Sequence, residues 1–183
     1  HSFIHSFIHS FIRAFIYSFA LSLSLSLFSF SKLTLSMERN VQFGHVNIYH
    51  LENKLHDVCT LLQQHDIHIL GITETRLSGY KHSTESISLP NYTFYRRDAV
   101  FPGHTGIGAY IHTSLANYVK RRHDLEMNSI ESIWIEIRPF EATPLLIGFL
   151  YRNPASTREW FDDYIQMMDK VNSCNLNTVL LGD

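Results

Sequence analysis

Short β-branched apolar runs alternate along this chain with stretches that carry a single apolar stripe, and that alternation admits few folds. Ile67–Thr73 (IHILGIT), Leu145–Tyr151 (LLIGFLY) and Asn177–Leu181 (NTVLL) are too short for helices and apolar enough to be strands. Leu51–His65 instead places Leu51, Leu55, Val58, Leu61 and Leu62 at helical spacing with polar residues opposite. A second helix is signalled after Asn153-Pro154. Ser156-Thr157-Arg158-Glu159 matches a capping box, and Trp160, Tyr164, Met167, Met168 and Val171 supply the buried stripe. Val41–Ile48 opens the series as a strand. Tyr92–Arg97, Gly106–His112 and Ser132–Ile137 fill the middle, the last with Ile133, Ile135 and Ile137 on one face. Gly103, Gly106 and Gly108 mark a turn where backbone approaches closely. The order β-α-β, several strands, then β-α-β predicts a layered α/β domain with helices outside the sheets.

The first 36 residues follow different rules. His1–Ile12 is HSFI three times over, and Leu21–Leu27 alternates Leu with Ser. A CATT repeat read in triplets gives the first tract, and a CT repeat gives the second. The first methionine is Met37, where ordinary sequence begins. Residues 1–36 are therefore expected to be a translated simple repeat, poorly structured and without function, and residues 37–183 the working domain. Serine interrupts Ala14–Phe30 too often for a membrane span, and no small-residue cleavage site is evident.

Composition excludes several classes. The 183 residues are 45% apolar, enough for one core, and the formal charge of −2 gives no general attraction to a polyanion. The repeat tract holds Arg13 and Lys32 and no acids, so the remainder is more acidic still. Cys59 and Cys174 lie far apart in helix-like segments, with no CxxC knuckle or disulfide framework. An intracellular protein, nuclear or cytoplasmic, is expected, with no membrane partner and no obligate oligomer.

Chemistry points to the strand ends. Glu74 follows IHILGIT, Tyr151 ends LLIGFLY, Asp183 follows TVLLG, and Asn47 sits in the opening strand. Side-by-side strands would bring these groups to one rim, where Glu and Asp are hard oxygen ligands suited to Mg²⁺ or Mn²⁺. The same acids also read as solvated turn residues. Two basic clusters, Arg96-Arg97 and Lys120-Arg121-Arg122, are either phosphate contacts or ordinary surface charge. Trp134 and Trp160 fit core stripes better than stacking platforms.

Asn47 in HVNIYHLENKL, Glu74 in DIHILGITETRL, YRRD at 95–98, ESIWIEI at 131–137, LYRNP at 150–154 and VLLGD at the end occur in a familiar order. Together they resemble the endonuclease/exonuclease/phosphatase superfamily, and most closely the endonuclease domain of non-LTR (LINE-type) retrotransposon polyproteins. The resemblance implies a four-layered α/β sandwich, two mixed sheets flanked by helices, that hydrolyses phosphodiesters with Mg²⁺ or Mn²⁺. It assigns metal binding to Glu74, site organisation to Asn47, the phosphate region to Tyr151 and the attacking water to Asp183. Arg96, Arg97 and Arg152 are its candidate DNA phosphate contacts.

The implied function is a DNA-nicking endonuclease whose parent polyprotein carries a C-terminal reverse transcriptase. The Asn that follows the Asp of the family's GDFN segment, its distal Asp and its SDH-like His have no match here. The expectation is therefore a domain truncated at its C-terminus, inactive as it stands. His65, His68, His104 and His112 do not substitute for that His, and GHTGIG at 103–108 departs from the consecutive glycines of relatives. Two alternatives remain: a phosphatase of the same fold acting on a phospholipid or inositol phosphate, and a non-enzymatic relic.

Overall fold

The computed structural model describes residues 28–36, 39–99, 104–138 and 143–183. The HSFI and Leu-Ser repeats, Met37 and Gly103 lie outside the described residues. The chain builds two sheets. The first contains β1 (Phe28–Ser36), β2 (Arg39–Asn47), β3 (Ile69–Thr73), β4 (Tyr92–Arg97) and β5 (Ile107–His112), in the order β1-β2-β3-β5-β4. The second contains β6 (Val119–Arg121), β7 (Glu131–Ile137), β8 (Leu145–Tyr151) and β9 (Asn177–Gly182), in that order.

Both sheets are mixed, and each has one parallel pair. β2 runs parallel to β3, and β8 runs parallel to β9, while the other pairings are antiparallel. A parallel pair needs a crossover, and a helix supplies each one. α1 (Leu55–Gln64) connects β2 to β3, and α2 (Arg158–Ser173) connects β8 to β9. Each βαβ unit thus carries its two strand ends to the same edge of its sheet.

Three apolar clusters hold the layers together. Between the sheets, Phe43, Ile69, Ala109 and Ile111 face Ile133, Ile135, Ile137, Ile147 and Phe149. The alternation read for Ile133, Ile135 and Ile137 is the pleat of β7 turning one face to this seam. The opposite face of the first sheet, with Val46, Leu70 and Ile72, packs on Val58, Leu61 and Leu62 of α1. On the outer face of the second sheet, Trp134 and Leu146 meet Met167 and Val171 of α2, and Trp160 is partly buried there. The result is the four-layered sandwich: helix, sheet, sheet, helix. Each fully buried Leu, Ile or Phe contributes on the order of 1.5–3 kcal/mol.

Element limits follow the sequence pattern with local exceptions. A 3-10 turn at Glu52–Lys54 precedes α1, so its regular part starts later than Leu51. The expected capping box at Ser156 is corrected. The cap of α2 is Thr157, extended and without a side-chain cap bond, because Ser156 N–H already donates to Asn153 O in the preceding turn (2.9 Å). Glu159 is hydrogen-bonded to the Thr157 side chain instead. The strand β6 shows in the sequence only as a basic cluster, since three residues carry no periodicity. At the other end, β1 pairs with β2 from Phe28↔Val46 to Ser36↔Arg39, so the first sheet extends across the composition boundary at residue 36. No described helix is long and apolar enough to cross a membrane.

Candidate active site

The carboxyl ends of the two parallel pairs meet at one rim. Asn47 is the last residue of β2, Glu74 follows β3, Tyr151 ends β8 and Asp183 follows β9. The Asn47 carboxamide joins them. Its Nδ2 donates to Glu74 Oε1 at 2.8 Å and to Asp183 Oδ2 at 2.6 Å, while its Oδ1 accepts from Tyr49 N–H at 3.2 Å. One nitrogen therefore holds a carboxylate from each sheet, and Asn47 itself is buried.

Tyr151 lies against the same carboxylates. Burial, the Glu74 charge and a hydrogen bond to Glu74 push its phenol up to about 12, with Glu131 and Asp183 adding to the effect. The phenol is protonated at neutral pH and is a hydrogen-bond donor.

The loops are fixed by backbone bonds. Glu74 adopts φ +54°, a left-handed conformation uncommon for residues other than glycine. It is held there because His50 N–H donates to Glu74 O (2.9 Å) and Leu51 N–H to Thr75 O (3.0 Å). On the other side Thr75 N–H donates to Gly106 O (3.1 Å) and Arg76 N–H to Thr105 O (2.7 Å). Gly106, at φ +85°, lets this turn approach so closely that a Cβ would strike Thr75 Oγ1. Behind Asp183, a Cβ on Gly182 would fall on the Leu150 carbonyl.

Several neighbours were not singled out from the sequence. Glu131, at the start of β7, is buried, and its Oε1 accepts from Thr105 N–H (2.9 Å) and Gly106 N–H (2.6 Å). Burial raises its carboxyl above the usual range, and those two bonds oppose the shift. Its signal was an acid opening a strand that is otherwise buried throughout. His45, two residues before Asn47 and so on the same strand face, is buried with Nε2 3.1 Å from Thr73 Oγ1. Burial lowers its imidazole to about 4 against the pull of Asp183, so it stands neutral beneath the site. Arg76 and Tyr49 line the mouth. The Arg76 guanidinium lies 3.7 Å from Glu74 Oε2 and 4.2 Å from the centre of the Tyr49 ring.

Comparison with known proteins places this architecture. No protein-family model matches the chain, and no curated protein matches it in sequence. Solved structures do match. An AP endonuclease, LMAP, from Leishmania major aligns over 78% of this chain and 54% of its own, with a TM-score of 0.64 and 10% identity. The endonuclease domain of TRAS1, a telomere-specific non-LTR retrotransposon, aligns over 78% of this chain and 58% of its own (TM-score 0.55, 13% identity). The human Nocturnin catalytic domain aligns over 75% and 60% (TM-score 0.51, 12% identity). The chain has the endonuclease/exonuclease/phosphatase fold. It spans between 54% and 60% of the length of these structures.

Within the endonuclease/exonuclease/phosphatase fold the basic residues are placed differently from expectation. Arg96 makes a two-pronged bond to Asp98 (2.8 and 2.7 Å) and donates to His82 O. Arg97 donates to the carbonyls of Met127, Ile130 and Ser132. Both are internal struts rather than free phosphate ligands, because loop carbonyls and a carboxylate take up their donors. Arg121 pairs with Glu126, and Arg122 with Asp124 and Glu136. Arg152 is exposed, over the Phe161 ring at 5.6 Å, with its backbone N–H on Asp183 O.

The donor set can be tested against a divalent cation. No group of three or more His, Cys, Asp or Glu poised to hold a metal occurs among the described residues. Mg²⁺, however, keeps several waters and is usually held by one or two carboxylates together with substrate phosphate. Glu74 and Asp183, brought together on one amide nitrogen, supply that set of hard oxygens. The residues present fit such an ion.

Proposed function

We propose that the rim formed by Asn47, Glu74, Tyr151 and Asp183 hydrolyses phosphodiesters, and that its substrate is DNA, nicked by an endonuclease of non-LTR retrotransposon type. The observation that carries this reading is the single Asn47 nitrogen bonded to carboxylates from two sheets. A purely structural amide does not require two acids to be held side by side in a half-dry edge, where their mutual repulsion costs stability. The similarity to the TRAS1 endonuclease domain supports DNA over a lipid or inositol phosphate as substrate.

Each residue then has a chemical role. Glu74 would hold a Mg²⁺ or Mn²⁺ ion, which when bound would polarise a phosphoryl oxygen and lower the pKa of water. Asp183 accepts a hydrogen bond from the attacking water and aligns it. Asn47 fixes both carboxylates, so that neither must reorganise during the reaction. The protonated Tyr151 donates toward a phosphate oxygen. Activity, substrate and a linked reverse transcriptase belong to the whole protein, and are part of the proposal.

The test is Mn²⁺ binding by the whole protein, followed by nicking of supercoiled plasmid. Glu74→Gln is expected to weaken Mn²⁺ binding at least about ten-fold, through loss of a charged ligand, and to abolish nicking. Wild-type affinity and nicking in that variant would remove the assignment. Hydrolysis of a synthetic phosphoinositide with no nicking would move the substrate to lipid.

A further inference from the structure

The mouth of the site carries an arginine bonded differently from those of the two basic clusters. Arg96, Arg97, Arg121 and Arg122 all have guanidinium donors within hydrogen-bond distance of protein acceptors. Arg76 sits 3.7 Å from Glu74 Oε2, too far for a hydrogen bond, and rests on the Tyr49 ring. Its side chain is 41% exposed, and Tyr49 is 58% exposed. A large ring left in solvent with a cation laid on its face holds that cation in place without neutralising it. Both residues take left-handed backbone conformations, φ +42° at Tyr49 and +53° at Arg76. The loops that carry them are bonded to one another through His50 N–H and Glu74 O. The stack is therefore set by the same strained loops that aim Glu74.

We propose that Arg76, held by Tyr49, is a positioning residue for the substrate strand: it balances the Glu74 carboxylate in the free protein, and turns to a substrate phosphate once a divalent cation takes that carboxylate. This rests on the functional reading above. The physical argument is competition. A guanidinium beside a carboxylate repels an incoming dication, so it opposes metal binding. The same guanidinium, with planar donors and no hydrogen-bonded acceptor, matches a phosphate. An arginine that only braced Glu74 would weaken both functions when removed. The proposed one shifts them in opposite directions.

The experiment uses the whole protein, Mn²⁺ alone as the binding probe and a fluorescein-labelled oligonucleotide duplex as substrate. Arg76→Gln is expected to tighten Mn²⁺ binding roughly two- to five-fold, the size of a partly exposed ion pair. It is also expected to raise KM about ten-fold, the loss of a charged hydrogen bond, with the change in KM rather than kcat. Arg76→Lys keeps the charge and should keep wild-type Mn²⁺ affinity. Tyr49→Leu should raise KM by a smaller factor, and Tyr49→Phe, which retains the ring face, should restore it. Weaker Mn²⁺ binding in Arg76→Gln, or an unchanged KM, overturns the inference while leaving the functional reading intact. A wild-type whole protein that neither binds Mn²⁺ nor cleaves overturns that reading, and this inference with it.

Discussion

Asn47 and Asp183 are joined by a hydrogen bond of 2.6 Å that links the end of β2 in one sheet to the residue after β9 in the other. Removing the amide should release both carboxylates at once. Asn47→Ala is expected to lower nicking by about 10²-fold, as misplaced reacting groups do. It should cost about 1–3 kcal/mol of stability, for polar groups left unpaired. Urea melts and plasmid nicking on the same preparation check both. Loss of stability with full activity would detach Asn47 from the site.

Glu131 tests how the Glu74 loop is supported. Glu131→Ala strands two N–H groups, Thr105 and Gly106, and should destabilise the protein by about 2–4 kcal/mol. Glu131→Gln keeps an acceptor oxygen and should recover most of that loss in the same urea melt. Equal effects from the two variants would mean the bonds are not the reason the residue is there.

His45 makes stability depend on pH. Burial lowers its folded pKa to about 4 from an ordinary 6.5, so between these values the unfolded chain binds more protons. The contribution is therefore fully present above about pH 6.5 and is lost as pH falls toward 4, a loss on the order of 3 kcal/mol. Denaturation midpoints across pH 4–7 should show this slope in the wild type and a flatter one in His45→Gln.

Gly182 is squeezed against the Leu150 carbonyl, and the next residue is Asp183. Gly182→Ala should cost about 1–3 kcal/mol through overpacking. It should also reduce nicking beyond what the lost folded fraction explains, because the displaced backbone carries the carboxylate. Nicking normalised to folded protein separates the two effects.

Arg97 and Arg152 should behave as opposites. Arg97→Met leaves the Met127, Ile130 and Ser132 carbonyls without their donor and is expected to destabilise by about 2–4 kcal/mol, with KM for DNA unchanged. Arg152→Ala should stay within about 0.5 kcal/mol of wild type, as exposed substitutions do, and raise KM. A reversed pattern would restore Arg97 as a phosphate contact.

The order of elements was legible because apolar periodicity records which residues face a core. The convergence of Asn47, Glu74, Tyr151 and Asp183 was legible for a related reason: each is a polar group in or at the end of an apolar run, and parallel strands put such ends together. Glu131 and His45 were not: Glu131 bonds across the seam to Thr105 and Gly106, and His45 meets Thr73 on the neighbouring strand, contacts that have no signature in spacing. The arginines show the limit in reverse. Arg96-Arg97 looks like a basic patch in sequence, yet alternation along β4 and nearby carbonyls turn both guanidinium groups to internal partners. Pairing of β1 with β2 was equally hidden, because Phe28–Ser36 lies inside the segment set apart by its biased composition.

Asn47 and the Asp183 carboxylate it holds stand far apart in the chain, at a sequence separation of 136. On the proposed reading, neither βαβ unit holds a working site by itself: each brings one acid, and only their docking brings the pair together. A nascent or half-folded chain is then harmless to nearby DNA. The capacity to cut would switch on in one step with completion of the sandwich, so that folding itself acts as the safety catch.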